Sequence, residues 1–309
     1  MRIRRFALAV AGLSLAAGAV GAGQATAGVQ GKPGPNFAAA GKAQAAGPCD
    51  VQVGAVDSTG QASANKIYAT KPLSAGGPMD FKFFPIRASA TWYYTGVNTP
   101  KSYYSAYVLQ GSNLYLARAN YEFGDATAPT AKRVGTGWAG FSTIATSNVL
   151  GSKGHKFLYG LHANGSLYRY NVTTGAVKSY GSAPGYAGFK AITVISETAG
   201  YDTLLASTKA GALWTIHIPV TAPFKATLKL VRSTGFKAYD YLVAQRCGSS
   251  STMLAGLSKT SQVATAYAVS HANGTKTVIN PLGTIELHSK ASSVRLLRTG
   301  SDGPQLLGE

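Results

Sequence analysis

The chain has 309 residues, of which 45% are hydrophobic and 13% charged, so it can bury a sizeable core and lacks the composition of a disordered protein. With 29 Lys and Arg against 11 Asp and Glu, its formal net charge is +18. This charge favours anionic partners such as cell-wall polymers, but no run of five or six cations occurs, and nucleic acid is not an expected partner.

The first segment has the layout of a secretory signal peptide. Arg2, Arg4 and Arg5 precede an apolar run, and Ala25 and Ala27 form a small-residue cleavage site. We therefore expect cleavage of residues 1–27, which lowers the net charge from +18 to +15, and a secreted protein. We expect no membrane span, because no later apolar run reaches about eighteen residues.

Residues 28–48 are rich in Gly, Ala, Gln, Lys and Pro, which predicts a flexible leader before a fold at 49–309. The fold begins at the first of two cysteines, Cys49 and Cys247. An even number of cysteines in an exported chain indicates one disulfide, and two unpaired buried thiols are the alternative.

The remaining sequence predicts an all-β protein built from repeats. Short runs rich in aromatic and β-branched residues are separated by Gly, Asn, Ser or Thr turns. An apolar residue followed by an aromatic one recurs about every fifty residues, at Tyr68, Tyr115, Tyr168, Trp214 and Tyr267. Four strands in about fifty residues are typical of a β-propeller blade, so five units predict a five-bladed ring.

The two ends of the chain supply complementary parts of one blade. The segment after Cys49 has an aromatic strand without an opening strand, whereas the C-terminal segment has the reverse. We therefore predict closure by pairing of N- and C-terminal strands in a shared fifth blade, with Cys49 and Cys247 near the seam. Either "VQVGAVD" or "PQLLGE" could supply the second strand there, and "DFKFF" at Asp80 is predicted to open the first blade.

A second motif precedes several opening strands. It reads "VGTGWAGF" at 134–141 and "GSAPGYAGF" at 181–189, and each copy is followed by "GSLY" or "GALW". These residues resemble the tachylectin-2-like family of five-bladed propeller lectins. The resemblance extends over roughly 132–236 and implies several shallow sites for N-acetylated sugars or a cell-wall polysaccharide.

Candidate sugar contacts are the Gly-aromatic pairs of three turns together with one acid, namely Gly137, Trp138, Gly185, Tyr186, Gly235, Phe236 and Asp240. An exposed aromatic ring can stack on the apolar face of a sugar, and Gly allows close approach of the backbone. The same turns would also serve to pack one blade on the next, and both interpretations stay open here.

No catalytic or cofactor signature is present, so we expect a monomeric binding protein without enzymatic activity, metal or cofactor. The acids fall at dissimilar places in the repeats, and the histidines form neither HExxH nor His-x-His. Two alternatives remain: a basic scaffold that binds anionic cell-surface polymers, and a glycan-processing enzyme, which would need two carboxylates within about 10 Å.

Overall fold

The computed structural model describes residues 49–98, 101–122, 125–126, 129–288, 295–297, 299–300 and 305–309. These residues form a five-bladed β-propeller, as the repeats predict. The predicted signal peptide and leader lie outside the described residues. Within the described part of the chain, no helix is long and apolar enough to cross a membrane.

The strands follow the chain from the fifth blade through blades one to four and back. The N-terminal strands belong to the fifth blade and are β1 (Asp50–Val56), β2 (Gln61–Tyr68) and β3 (Ser74–Lys82). Blade one contains β4 (Ala88–Ser89), β5 (Trp92–Asn98), β6 (Lys101–Gln110), β7 (Asn113–Glu122), β8 (Asp125–Ala126) and β9 (Thr130–Thr136). Blade two contains β10 (Phe141–Val149), β11 (His155–His162), β12 (Ser166–Asn171) and β13 (Lys178–Pro184).

Blade three contains β14 (Phe189–Glu197), β15 (Tyr201–Thr208), β16 (Leu213–Pro219) and β17 (Thr227–Arg232). Blade four contains β18 (Tyr241–Cys247), β19 (Ser251–Leu257), β20 (Val263–Ser270), a 3-10 turn (Gly274–Lys276) and β21 (Val278–Glu286). The last strands are β22 (Arg295–Leu297) and β23 (Thr299–Gly300).

Burial decreases from the middle strands of a blade to its outer strand. Every residue of β19 is buried, whereas β17 has one buried residue among six. Both faces of a middle strand pack on neighbouring blades, so its sequence is almost continuously apolar. The polar fourth strands therefore lie at the rim.

Five hydrophobic clusters join successive blades around the ring. Leu204 and Phe157 share the cluster between blades two and three, and Leu205 and Leu254 share the cluster between blades three and four. Val53 of β1 shares a cluster with residues of blade four, and Val56 of the same strand shares one with blade one. The N-terminal strands thus fill the gap between the first and last complete blades.

The fifth blade contains segments from both ends of the chain, in the order β22, β1, β2, β3. β22 pairs with β1 in antiparallel fashion, with Gly54 opposite Leu297. "VQVGAV" in β1 is therefore the second strand, whereas Leu307 of "PQLLGE" bridges to Ser196 of blade three. Residues 289–294 leading into β22 lie outside the described residues, so closure by this pair stays a prediction.

The Cys49–Cys247 disulfide is present, with a Cα–Cα distance of 5.4 Å. Cys49 immediately precedes β1, and Cys247 ends the opening strand of blade four. The bridge therefore fastens the fifth blade to the fourth, in agreement with the sequence prediction.

One predicted blade opening is wrong. Asp80 and the residues after it end β3, the outer strand of the fifth blade, and β4 and β5 open blade one instead. An aromatic run suits the end of an outer strand as well as an opening strand when the chain must cross to the next blade. Phe83 packs edge-on against Trp92 of β5 at this crossing.

Close packing inside blade two makes a testable prediction at Gly160. A Cβ added there would lie 2.6 Å from the Phe141 ring, whereas a Cβ at Gly188 would meet nothing within 4 Å. Gly160→Ala should therefore lower the free energy of unfolding by about 1–3 kcal/mol, as overpacked cores do. Gly188→Ala is the control and should cause no loss. Urea unfolding measures both, and equal stabilities would show that Phe141 does not require the glycine.

Candidate carbohydrate-binding site

The three Gly-aromatic turns lie on one face of the propeller. Because strands within a blade are antiparallel, the links between blades emerge at the same end as the hairpins that join second and third strands. We call this end the turn face; it contains the turns 135–140, 183–188 and 233–238 and the hairpins 111–112, 163–165 and 209–212. The other end is called the opposite face.

Each turn has an exposed glycine at its apex. Gly137, Gly185 and Gly235 have φ values of +78°, +97° and +100°, a region that residues with a Cβ rarely adopt. A Cβ at any of the three would meet no atom within 4 Å, so open space lies above each apex. The turns therefore present backbone that a ligand could approach closely.

The aromatic residue after each glycine anchors the turn to the preceding blade. Trp138 N donates to Ser112 O at 2.9 Å, Tyr186 N to Gly165 O at 2.8 Å, and Phe236 N to Gly211 O at 2.9 Å. The acceptors occupy equivalent hairpins of blades one, two and three. Phe236 is thus the counterpart of Trp138 and Tyr186, although its blade lacks the full sequence motif.

The rings of these three residues are buried rather than presented to solvent. Trp138, Tyr186 and Phe236 are each 4% exposed, and burial raises the pKa of Tyr186 to about 12. In this conformation they offer no open face for stacking on a sugar. Of the two interpretations left open by the sequence, packing between blades accounts for the rings themselves.

Each buried ring belongs to an aromatic triad that reaches toward the surface. In each triad the turn residue lies beside an aromatic residue three positions later, which meets the aromatic residue of the third strand nearly edge-on. The centroid distance of this second contact is 5.5 Å for Phe141–Tyr168, 6.5 Å for Phe189–Trp214 and 6.2 Å for Tyr239–Tyr267. The third-strand rings, Tyr168, Trp214 and Tyr267, are half-buried.

Polar groups surround the triads on the turn face. Asn164 Nδ2 donates to the Tyr168 hydroxyl at 2.9 Å, and the hydroxyls of Tyr239 and Tyr267 lie 2.7 Å apart. Burial, followed by the hydrogen bond with Tyr239, raises the pKa of Tyr267. An amphipathic wall of ring and hydroxyl therefore adjoins two of the exposed turns, which suits a sugar with one apolar face.

Asp240 lies at the start of the opening strand of blade four, beside the Phe236 turn. Its Oδ1 is 3.4 Å from Lys190 Nζ, and its Oδ2 accepts a hydrogen bond from Lys259 N at 3.0 Å. Both oxygens thus hold neighbouring segments together, and its predicted contact with a sugar stays a prediction.

The central axis is too narrow for a sugar. The opening strands of blades one to four enclose a cavity of about 40 Å³ whose lining includes Ser89, Thr143, Thr193 and Tyr241. Ligand pockets usually measure about 300–1,000 Å³. This axial cavity is therefore too small to hold a sugar.

Two carboxylates meet on the opposite face, where sequence reasoning expected none. Glu197 and Asp202 are cross-strand partners in β14 and β15, so their Cβ atoms are about 4.5–5.5 Å apart. They are 2% and 0% exposed. The hairpin "ETAGYD", with an acid at each end of a turn, was the signal in the sequence that could have revealed them.

Asp202 is held by three donors from blade two. Ser147 Oγ donates to Oδ2 at 2.5 Å, Tyr159 OH donates to Oδ2 at 2.7 Å, and His155 Nε2 lies 3.0 Å from Oδ1. Burial, followed by the charge of Asp202, raises the pKa of Tyr159 well above its usual value.

Glu197 has partners from two blades and the C-terminal segment. Tyr93 OH lies 2.8 Å from its Oε1, and the backbone amides of Asn148 and Leu306 donate to it at 3.3 Å. Both carboxylates are therefore enclosed by protein groups in this conformation. Among the described residues, no group of three or more His, Cys, Asp or Glu side chains could hold a metal ion.

No protein-family model and no curated protein matches the chain. Among solved structures, the catalytic domain of a GH62 α-L-arabinofuranosidase from Coprinopsis cinerea is 11% identical, covers 64% of this chain and 68% of that chain, and has a TM-score of 0.43. A variant of the Aleuria aurantia lectin in complex with Fucα1-6GlcNAc is 11% identical, covers 78% of this chain and 81% of that chain, and has a TM-score of 0.43. A variant of AofleA from Arthrobotrys oligospora is 14% identical, covers 83% of this chain and 79% of that chain, and has a TM-score of 0.40.

The sequence-based expectation that the chain has no enzymatic activity is wrong, because an enzyme is found among the similar structures. The similar structures include the catalytic domain of a glycoside hydrolase as well as lectins, and likeness at this level does not separate the two activities. The sequence argument relied on isolated acids, but Glu197 and Asp202 are neighbours across a hairpin. Both acids lie in one hairpin of a single repeat, so comparing the positions of acids between repeats does not detect the pair.

Proposed function

We propose that the protein binds carbohydrate at repeated shallow sites on its turn face. The observation that carries the proposal is the threefold recurrence of an exposed glycine turn beside an aromatic triad with a half-buried third ring. Each site would combine the turn backbone at Gly137, Gly185 or Gly235 with Tyr168, Trp214 or Tyr267. Trp138, Tyr186 and Phe236 would support these rings from below, and Asp240 would fix the edge of the third site.

The predicted ligand is an N-acetylated sugar in a polymer, as the tachylectin-2-like resemblance implies. The methyl group of an acetamide can pack on an aromatic ring while its N–H and C=O bond to turn backbone. Several equivalent weak sites gain avidity on a repeating polysaccharide. A secreted location agrees with the signal-peptide pattern and the Cys49–Cys247 bridge, since disulfides persist in oxidising compartments.

Trp214→Ala tests the site in blade three. Loss of one ring should weaken binding to immobilised N-acetylglucosamine polymer on the order of tenfold, which corresponds to about 1.4 kcal/mol. The measurement is surface plasmon resonance, accompanied by circular dichroism to establish that the variant is folded. Asn164→Ala is a milder second variant that removes the hydrogen bond to the Tyr168 hydroxyl and the one that Asn164 Oδ1 accepts from Ser166 N.

Leu228→Ala is the matched control for Trp214→Ala. Leu228 is 37% exposed on the outer strand of the same blade and lies toward the opposite face, so its truncation should leave binding unchanged. Binding by Trp214→Ala at the wild-type level, or no binding of wild type to any member of a broad glycan array, would overturn the proposal.

A further inference from the structure

Every triad turn has a cationic side chain attached to one of its backbone carbonyls. Lys209 Nζ donates to Ala187 O at 2.9 Å in the Tyr186 turn, and Lys190 Nζ donates to Lys237 O at 2.7 Å in the Phe236 turn. In the Trp138 turn, the Arg87 guanidinium donates to Trp138 O. Positive charge is thus held at all three candidate sugar sites.

These cations reach the turns from different elements. Arg87 lies just before β4 and Lys190 lies in β14, so both extend from the preceding blade to the next turn. Lys209 instead lies in the β15–β16 hairpin of blade three, the blade that follows the Tyr186 turn. Its backbone N also donates to Gly188 O of that turn at 2.8 Å. The positive charge therefore recurs at the turns although no single repeat position encodes it.

The surroundings of the three turns contain little compensating negative charge. Six cations lie in the segments that form these turns and the adjacent hairpins, namely Arg133, Lys190, Lys209, Arg232, Lys237 and Lys259. The segments counted are 133–142, 162–166, 182–190, 208–212, 232–240 and 257–262. Asp240 is the one acid in these segments, and its oxygens already face Lys190 and Lys259 N. These segments of the turn face are therefore net positive, and the exposed Glu286 at the end of β21 is a second acid at this end of blade four.

The geometry of the ammonium groups suits an anion beside a sugar ring. A lysine ammonium has three N–H donors, and one of those of Lys209 is hydrogen-bonded to Ala187 O. This bond holds the group beside the exposed Gly185 apex with further donors for a ligand, and the Lys209 side chain is exposed. Lys237 is also exposed and lies two residues beyond the Gly235 apex.

We propose that the polysaccharide bound on the turn face is acidic, with carboxylate groups on uronic acid units that alternate with N-acetylhexosamine units, or with sulfate groups on the N-acetylhexosamine units themselves. This inference rests on the proposed function and specifies its ligand class. The aromatic triads take the apolar sugar faces, and Lys209, Lys237 and their neighbours take the anionic groups. Charge steers the polymer to this face, and the triads make the contact specific.

The test compares polymers that share a backbone but differ in charge. Hyaluronan contains N-acetylglucosamine and a uronic acid, and its carboxyl-reduced derivative is the neutral counterpart. Hyaluronan should bind about tenfold more tightly at low salt, and the difference should shrink at about 0.5 M salt, where screening is strong. Chondroitin sulfate and desulfated chondroitin form a second pair that reports whether sulfate contributes beyond carboxylate.

Lys209→Gln/Lys237→Gln tests the location. The double variant should reduce the preference for hyaluronan over the neutral polymer roughly fivefold, as expected for the loss of two exposed ion pairs. Lys153→Gln/Lys225→Gln is the matched control, because it removes the same charge from exposed loops on the opposite face. The control should bind both polymers normally.

The outcomes separate this inference from the proposed function. Equal affinity of wild type for hyaluronan and its carboxyl-reduced form would overturn the inference and leave the proposed function standing. Equal losses in the two lysine double variants would also overturn it, because net charge alone would then explain the preference. Failure of wild type to bind either polymer or any glycan of the array would overturn the proposed function itself.

Discussion

Replacing both cysteines by serine, as Cys49→Ser/Cys247→Ser, is expected to lower the free energy of unfolding by about 4–5 kcal/mol. The bridge joins residues 198 positions apart. In the unfolded state it therefore closes a long loop and lowers the conformational entropy of most of the propeller sequence. In the folded state it ties the strand that starts the fifth blade to the fourth blade. Chemical unfolding of oxidised wild type and of the variant measures the difference.

Wild type in the presence of reductant is the natural control for the double serine variant. It should unfold at the same denaturant concentration as the variant, whereas the variant itself should not respond to reductant. A loss below about 1 kcal/mol would mean that packing between β1 and blade four already holds the seam, and would contradict the role assigned to the bridge.

Asp202→Ala is expected to lower the free energy of unfolding by about 3–5 kcal/mol, as when one partner of a buried charged network is removed. The carboxylate is fully buried and accepts from Ser147 and Tyr159, with His155 beside it. Truncation leaves those groups without their acceptor inside the protein, where an unsatisfied polar atom is costly. Urea unfolding monitored by fluorescence gives the measurement.

Two further variants make the Asp202 result interpretable. Asp202→Asn keeps the shape and part of the accepting capacity, so its loss should be intermediate. Glu286→Ala removes an exposed acid from the end of β21 and should change stability by less than about 0.5 kcal/mol. Equal stabilities of Asp202→Ala and Glu286→Ala would contradict the assignment of Asp202 as the centre of a buried network.

Local sequence patterns predicted the strands well because they report properties of single blades. Tyr168, Trp214 and Tyr267 recur about fifty residues apart, and all three lie in third strands. The pairing of Cys49 with Cys247 also followed from counting blades. The same method failed at Asp80, because the end of one outer strand and the start of the next blade have similar aromatic composition.

The candidate site was less predictable, because exposure depends on the neighbouring blade. Trp138 and Tyr186 stand beside glycine turns, which suggested exposed stacking rings, but the hairpin of the preceding blade draws their backbone inward and buries both rings. The half-buried rings are instead those of Tyr168 and Trp214 in the third strands. Contacts between blades determine which of these aromatic rings are buried and which stay partly exposed.

By itself, the sequence determined the all-β class, the period of about fifty residues, the count of five blades and the cysteine pair, since each depends on residue type and spacing along the chain. The tertiary structure decided which aromatic rings face solvent, where cations meet the turns and that Glu197 lies opposite Asp202. The first two features arise from side chains of different blades, which become neighbours only when the blades pack into a ring, whereas the third depends on the register of one hairpin in blade three.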